Sequence, residues 1–166
     1  MTRIITLKSI TLEVLEELKE AVDSSTIDMR PIELHIADKA GGSTEIGLQI
    51  VDLIERSPVL VTGVVETGAA SMSAIIFEAC GKRIMREQSY LHFHFAHIRV
   101  SLLIYYSSKL MERNRQSGIA LQERLFAPVA RRTGKSQEQL IDLFCLDRAI
   151  YAKEAIARDL ADEIIE

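Results

Sequence analysis

Residues 59–80 read VLVTGVVETGAASMSAIIFEAC, and this stretch decides the fold. Residues 59–65 are nearly all apolar and valine-rich, as expected of a strand buried on both faces. Gly68, Ala69 and Ala70 follow, and a helix then runs to about Cys80. A buried strand that passes directly into a helix is the repeating unit of an α/β domain with mostly parallel pairing. Ser71 stands where strand gives way to helix. The first amides of a helix lack intrahelical partners and point at whatever precedes them. A serine there, beside the Met72 N–H, offers both a nucleophile and an oxyanion donor. It equally fits an ordinary helix N-cap. The G-x-S-x-G elbow of α/β-hydrolases is not present.

Upstream, RIITL (3–7) reads as a strand and TLEVLEELKEAV (11–22) as an amphipathic helix, with Leu12, Leu15, Leu18 and Val22 at helical spacing. IELHIA (32–37) is a second strand, running through Asp38-Lys39-Ala40-Gly41-Gly42 into a helix over roughly 44–55 that is closed off by Pro58. Paired glycines let the backbone approach a ligand and orient its N–H groups, although glycine is also the ordinary turn residue. Neither a Walker A loop nor a dinucleotide fingerprint is formed. Downstream, SYLHFHF (89–95) reads as a strand, followed by a helix-rich stretch carrying Leu102, Leu103, Tyr106, Leu110, Leu121 and Leu125. Thr133-Gly134-Lys135-Ser136 breaks it. A helix over 137–144, a short strand near 149–151 and a helix with Glu154 and Ala155 complete the chain. Without a linker, repeat or low-complexity tract, residues 1–166 read as one domain.

The 166 residues are 48% hydrophobic and 27% charged, with three prolines and eight glycines, a globular composition. Net charge is −4 with interspersed signs, which argues against a nucleic-acid partner, because phosphate binding needs a clustered positive surface. No apolar run has the length of a membrane span, and MTRIITLKSI lacks a signal-peptide pattern. Cys80 and Cys145 are too few for a disulfide framework. A cytoplasmic protein is the expectation.

HFHFAH (92–97) gathers three of the four histidines. It resembles the H-x-H-x-D-H run of metallo-β-lactamase-like hydrolases, with Ala96 in place of the aspartate. No histidine follows His97 to complete a ligand set, so no metal is expected. On a strand His92 and His94 share one face, Phe93 and Phe95 take the other, and His97 lies beyond the strand end.

Together AGGS, TGAASM, SYLHFHF, RTGKSQEQL and LDRAIYAKEA resemble the proteolytic subunit family of the Clp protease. Gly42 and Ser71 are 29 positions apart, as in that family, and the match covers about residues 32–166. The resemblance implies a Clp/crotonase-like superhelix of strand–helix units with a protruding handle helix. It implies Ser71 as nucleophile, His94 as general base and Asp147 as the residue that orients His94. Gly42 and Met72 would donate backbone N–H groups to the oxyanion. Gly41, Ser43 and Gly68 would line the path of the substrate. Such a site needs neither metal nor cofactor. The expected activity is serine endopeptidase chemistry on peptides or unfolded proteins. The expected assembly is a heptameric ring, single or stacked into a tetradecamer, with the long helix after residue 100 between rings.

The sequence departs from the family at several points. Ala40 replaces the proline before the glycine pair, Phe95-Ala96 replaces Gln-Pro, and Ser73 and Asp159 stand where glycine is usual. No glycine occurs between Gly81 and Gly118, in the region of the substrate strand and handle. The first strand begins almost at once, so the axial loops that engage an ATPase unfoldase are expected to be short or missing, which argues against that partner. His92 takes a position that is usually apolar and is expected to be non-catalytic. Two other readings share the fold: a non-catalytic ring subunit, and a crotonase-like acyl-CoA enzyme that uses the two amides without a Ser–His–Asp set.

Overall fold

The structure is a computed structural model and describes residues 2–96 and 107–166. In chain order its elements begin with β1 (Arg3–Leu7), α1 (Leu12–Asp28), β2 (Ile32–Ile36), α2 (Thr44–Arg56), β3 (Val61–Val65), β4 (Ala69–Ala70) and α3 (Met72–Ala79). Next come β5 (Lys82–Arg86), β6 (Tyr90–His92), α4 (Ser108–Thr133), α5 (Gln137–Cys145), β7 (Ala149–Tyr151), α6 (Ala152–Ala157) and β8 (Glu163–Ile165).

The main sheet has the order β1-β2-β3-β5-β8, and every neighbouring pair is parallel. This is the α/β architecture expected from residues 59–80, because parallel strands require crossovers and α1 and α2 supply them. Along β2, Ile32, Leu34 and Ile36 are buried while Glu33 and His35 are half-buried, so one face of the sheet meets the helices. The core runs through both sheets and the helices, with Phe77 of α3 fully enclosed. α3 is buried from Met72 to Glu78 and packs between α2 and α4.

Several boundaries differ from the sequence expectation. α1 continues to Asp28, and the strand expected over 89–95 stops at His92. β5 was not anticipated: in KRIMR the charged residues Lys82 and Arg86 alternate with buried Arg83 and Met85. Its polarity conceals a period-2 pattern that only its two strand neighbours make stable. β4 and β8 are two and three residues long, too short to leave a periodic signal. Leu110, Leu121 and Leu125 of the expected helix-rich stretch fall in α4; Leu102, Leu103 and Tyr106 lie outside the described residues, as does His97.

No residue of 108–120 is buried, whereas Leu125, Phe126 and Val129 of the same helix join the core. α4 is therefore anchored by its second half. Gly134 caps it in the left-handed conformation, φ 66°. Asp159, standing where glycine is usual, has φ 60°, a conformation aspartate adopts more readily than most residues. No helix among the described residues is long and apolar enough to cross a membrane.

A hydrogen-bonded cluster of buried Glu78 and Arg83 with Asp162 joins α3 to the C-terminal segment. Arg83 Nη1 donates to Glu78 Oε2 at 2.7 Å, and Nη2 donates to Asp162 Oδ1 at 2.7 Å. Burial pushes the Glu78 carboxyl up to about 8, with Arg83 pulling the other way. The folded protein thus holds this proton more tightly than the unfolded chain does. The associated stability is complete below the ordinary value of 4.5 and is lost as pH rises through about 8. Denaturant unfolding across that window is expected to show stability falling by up to ~1.4 kcal/mol per pH unit. Glu78→Gln should flatten the slope, and an unchanged slope in the variant would refute the assignment.

Candidate active site

A small second sheet assembles the site. β4 pairs in parallel with β6, and β6 pairs antiparallel with β7. The residues that follow β4 and β6, and those that precede β7, therefore emerge at the same end. Ser71 follows β4 directly, His94 lies two residues beyond β6, and Asp147 lies two residues before β7. His92 opposes Ala149 in the ladder, so the register continued by two residues would set Asp147 opposite His94.

Ser71 occupies the N-cap position of α3 but makes no side-chain cap bond. The N-cap reading of its hydroxyl is therefore not realised. Its backbone has φ 56° and ψ −123°, a strained conformation for a residue other than glycine, costing on the order of 1–3 kcal/mol. Tertiary contacts maintain it. Ser71 N donates to His92 O at 2.8 Å, and Gly41 presses on the other side. Gly41 itself has φ 76°, and a Cβ on it would lie 2.7 Å from Ser71 Cβ.

Gly42, Ser71, Met72 and His94 line one cavity of about 230 Å³, closed by Thr44, Ile75, Ala96, Leu121, Leu125 and Phe144. The expected nucleophile, base and oxyanion donors are thus neighbours. His94 Nδ1 lies 2.8 Å from Phe95 O. A carbonyl only accepts, so Nδ1 carries a proton and donates it to Phe95 O. A general base that takes a serine proton needs Nδ1 protonated in this way.

Asp147 is placed differently. Its Oδ1 accepts from His92 Nε2 at 2.9 Å, and the side chain is 69% exposed. The His92 and His94 rings are 5.7 Å apart, tilted against each other. His92 thus has a carboxylate partner that the sequence assigned to its neighbour. Among the described residues the cavity lining includes none of Asp147, Gly41, Ser43 and Gly68. Ser43 caps α2, its hydroxyl accepting from Ile46 N at 3.3 Å, and Gly68 packs against the Tyr90 ring.

Two buried polar residues went unrecognised in the sequence. Asp38 is 3% exposed, and its Oδ1 accepts from Ala40 N at 3.0 Å and Gly41 N at 3.1 Å. Ser73 is fully buried, and its hydroxyl accepts from Ala70 N at 2.8 Å. One signal for Ser73 was available in its departure from the family's glycine; Asp38 had none beyond preceding a turn. Among the described residues no His, Cys, Asp and Glu side chains are grouped as a metal ion would require.

Comparison with known proteins bears on what this arrangement is. No curated protein gives a significant match to the chain. The family model described as Clp protease matches residues 7–166, from the end of β1 through β8 and across every residue of the cavity. A match over nearly the whole length, on a mixed α/β fold with a parallel sheet, leaves one assignment: the chain belongs to the Clp protease family.

Proposed function

We propose that the protein is a serine endopeptidase that works from the cavity between Ser71 and His94. The observation carrying this reading is the strained Ser71, whose hydroxyl is uncommitted to helix capping and shares a cavity with a histidine protonated at Nδ1. His94 Nε2 takes the Ser71 hydroxyl proton as Oγ bonds the peptide carbonyl carbon. Gly42 N–H and Met72 N–H donate to the developing oxyanion. The proton passes to the leaving amine as the C–N bond breaks. Water, deprotonated by the same nitrogen, then releases the acid and restores Ser71.

Asp147 serves as the orienting carboxylate after leaving His92. An exposed polar contact of this kind contributes no more than about 1 kcal/mol, so the exchange costs little. The continued register of β6 and β7 favours the move. The substrate lies extended beside the Gly41–Gly42 turn, its main chain pairing with the turn. Subunits close into a heptameric ring, single or stacked, with the exposed half of α4 as the ring-to-ring element, and the enclosed sites confine a nonspecific peptidase in the cytoplasm.

The pairing of Asp147 with His92 favours a second reading, a ring subunit without activity. A fluorophosphonate probe separates the two. The peptidase reading expects one covalent adduct, mapped by peptide mass to the segment containing Ser71, together with hydrolysis of unfolded casein. An unlabelled protein with no hydrolysis favours the inactive subunit. A protein that elutes as a monomer at micromolar concentration removes the ring.

A further inference from the structure

From the bonds around Asp38 we infer that Asp38 and Ser73 form a polar joint that fixes the glycine-pair turn against the nucleophile turn, making both positioning residues for the proposed acylation of Ser71. The inference rests on the peptidase reading for its kinetic consequence, and on the geometry alone for the joint itself.

The two turns belong to different strands. The glycine pair follows β2 and Ser71 follows β4, in separate sheets, so no strand ladder sets their separation. Asp38 bridges them through two groups. Its carboxylate gathers the Ala40 and Gly41 amides, which folds the turn that precedes Gly42. Its backbone carbonyl accepts from Ala70 N at 3.1 Å and from Ser73 Oγ at 2.9 Å. Ser73 Oγ is also 2.8 Å from Ala70 O, so its single proton is shared between two carbonyls while its lone pair receives Ala70 N–H. The residue before the nucleophile is thereby held from both its N–H and its C=O. Ile10, bridged to Gly42 in parallel fashion, adds a backbone tie to this turn from another segment.

The joint costs stability. Asp38 Oδ2 is buried without a hydrogen-bond partner among the described residues, and burial raises the carboxyl above its ordinary value against the opposing pull of the Ala40 and Gly41 amides. An asparagine would offer the same Oδ1 acceptor without a buried charge. That contrast supplies the test, because acceptance by Oδ1, not charge, is what the joint requires.

Acylation by a fluorophosphonate and peptide hydrolysis would be measured for the full-length protein, D38A, D38N, S73A and the double variant D38A/S73A. D38A should lose roughly 100-fold in kcat, since displacing a reacting group by about 1 Å costs that much, with KM nearly unchanged. D38N should recover to within about threefold, because both amide bonds survive. S73A should lose roughly tenfold, and the double variant no more than D38A alone, as members of one unit are not additive. D38A within about threefold of wild type, or D38N as slow as D38A, overturns the inference. If D38A does not fold, S73A and D38N carry the test. If the wild type takes no probe, the peptidase reading fails and amide hydrogen exchange decides the joint separately. Exchange over residues 38–42 should then quicken at least tenfold in D38A relative to D38N, or at Ala70 in S73A relative to wild type; equal rates refute the joint.

Discussion

His94→Ala is expected to slow fluorophosphonate acylation of Ser71 by roughly 10³-fold or more, the range of a general base whose removal leaves the oxyanion donors intact. The loss should appear in kcat, with KM little altered, because His94 acts on the Ser71 proton and not on substrate binding. Asp147→Asn should cost roughly 100-fold by the same assay, less than His94→Ala, since Phe95 O already fixes the tautomer in the arrangement seen here. His92→Ala has the opposite sign. It frees Asp147 and raises acylation by at most about fivefold, the equivalent of the ~1 kcal/mol that an exposed pair supplies. Asp147→Asn in the His92→Ala background should abolish that gain. Acylation that survives His94→Ala within tenfold would remove His94 from the mechanism. A His92→Ala variant slower than wild type would show that His92 assists the site instead of competing for its carboxylate.

Gly41→Ala should disable the site through backbone geometry alone. The added Cβ would sit 2.7 Å from Ser71 Cβ and 2.9 Å from Ala70 O, and its backbone would be held at φ 76°. A flexible side chain could turn aside, but Ala70 O is main chain and Ser71 is already strained. Relief therefore requires the nucleophile turn and the glycine turn to separate. The expected result is a stability loss of about 1–3 kcal/mol with acylation reduced roughly 100-fold. Gly134→Ala is the internal control. Gly134 has φ 66° and none of the described residues within 4 Å of a Cβ, so it carries the conformational strain without the clash. It should lose about 1 kcal/mol and acylate normally. Equal acylation by the two variants would show that strain, not the contact with Ser71, governs the outcome.

Much of this fold was legible because its signals are local. Residues 59–65 announce a buried strand by composition, α2 by helical spacing, and β7 falls on the expected 149–151. β5 was not legible, because a strand with Lys82, Arg83 and Arg86 is stabilised by β3, β8 and the Glu78–Arg83–Asp162 cluster, all supplied by distant segments. The site divides in the same way. Ser71, His94, Gly42 and Met72 were reached through the resemblance to the family, and all four line one cavity. Asp38 and Ser73 were given no role from the sequence, because Ser73 bonds a backbone carbonyl 35 residues away and Asp38 acts by tying its own turn to that distant segment.

Sequence alone determined the strand–helix grammar, the family and the residue types available for acyl transfer, since hydrophobic period and motif spacing are properties of adjacent residues. Tertiary structure decided how those residues meet. It strained Ser71 into a positive φ, gave His94 a carbonyl partner at Phe95, and delivered Asp147 to His92. The physical reason is that strand register fixes which backbone positions face one another, while the rotamer and partner of each side chain depend on groups that only the folded sheets bring within 3 Å.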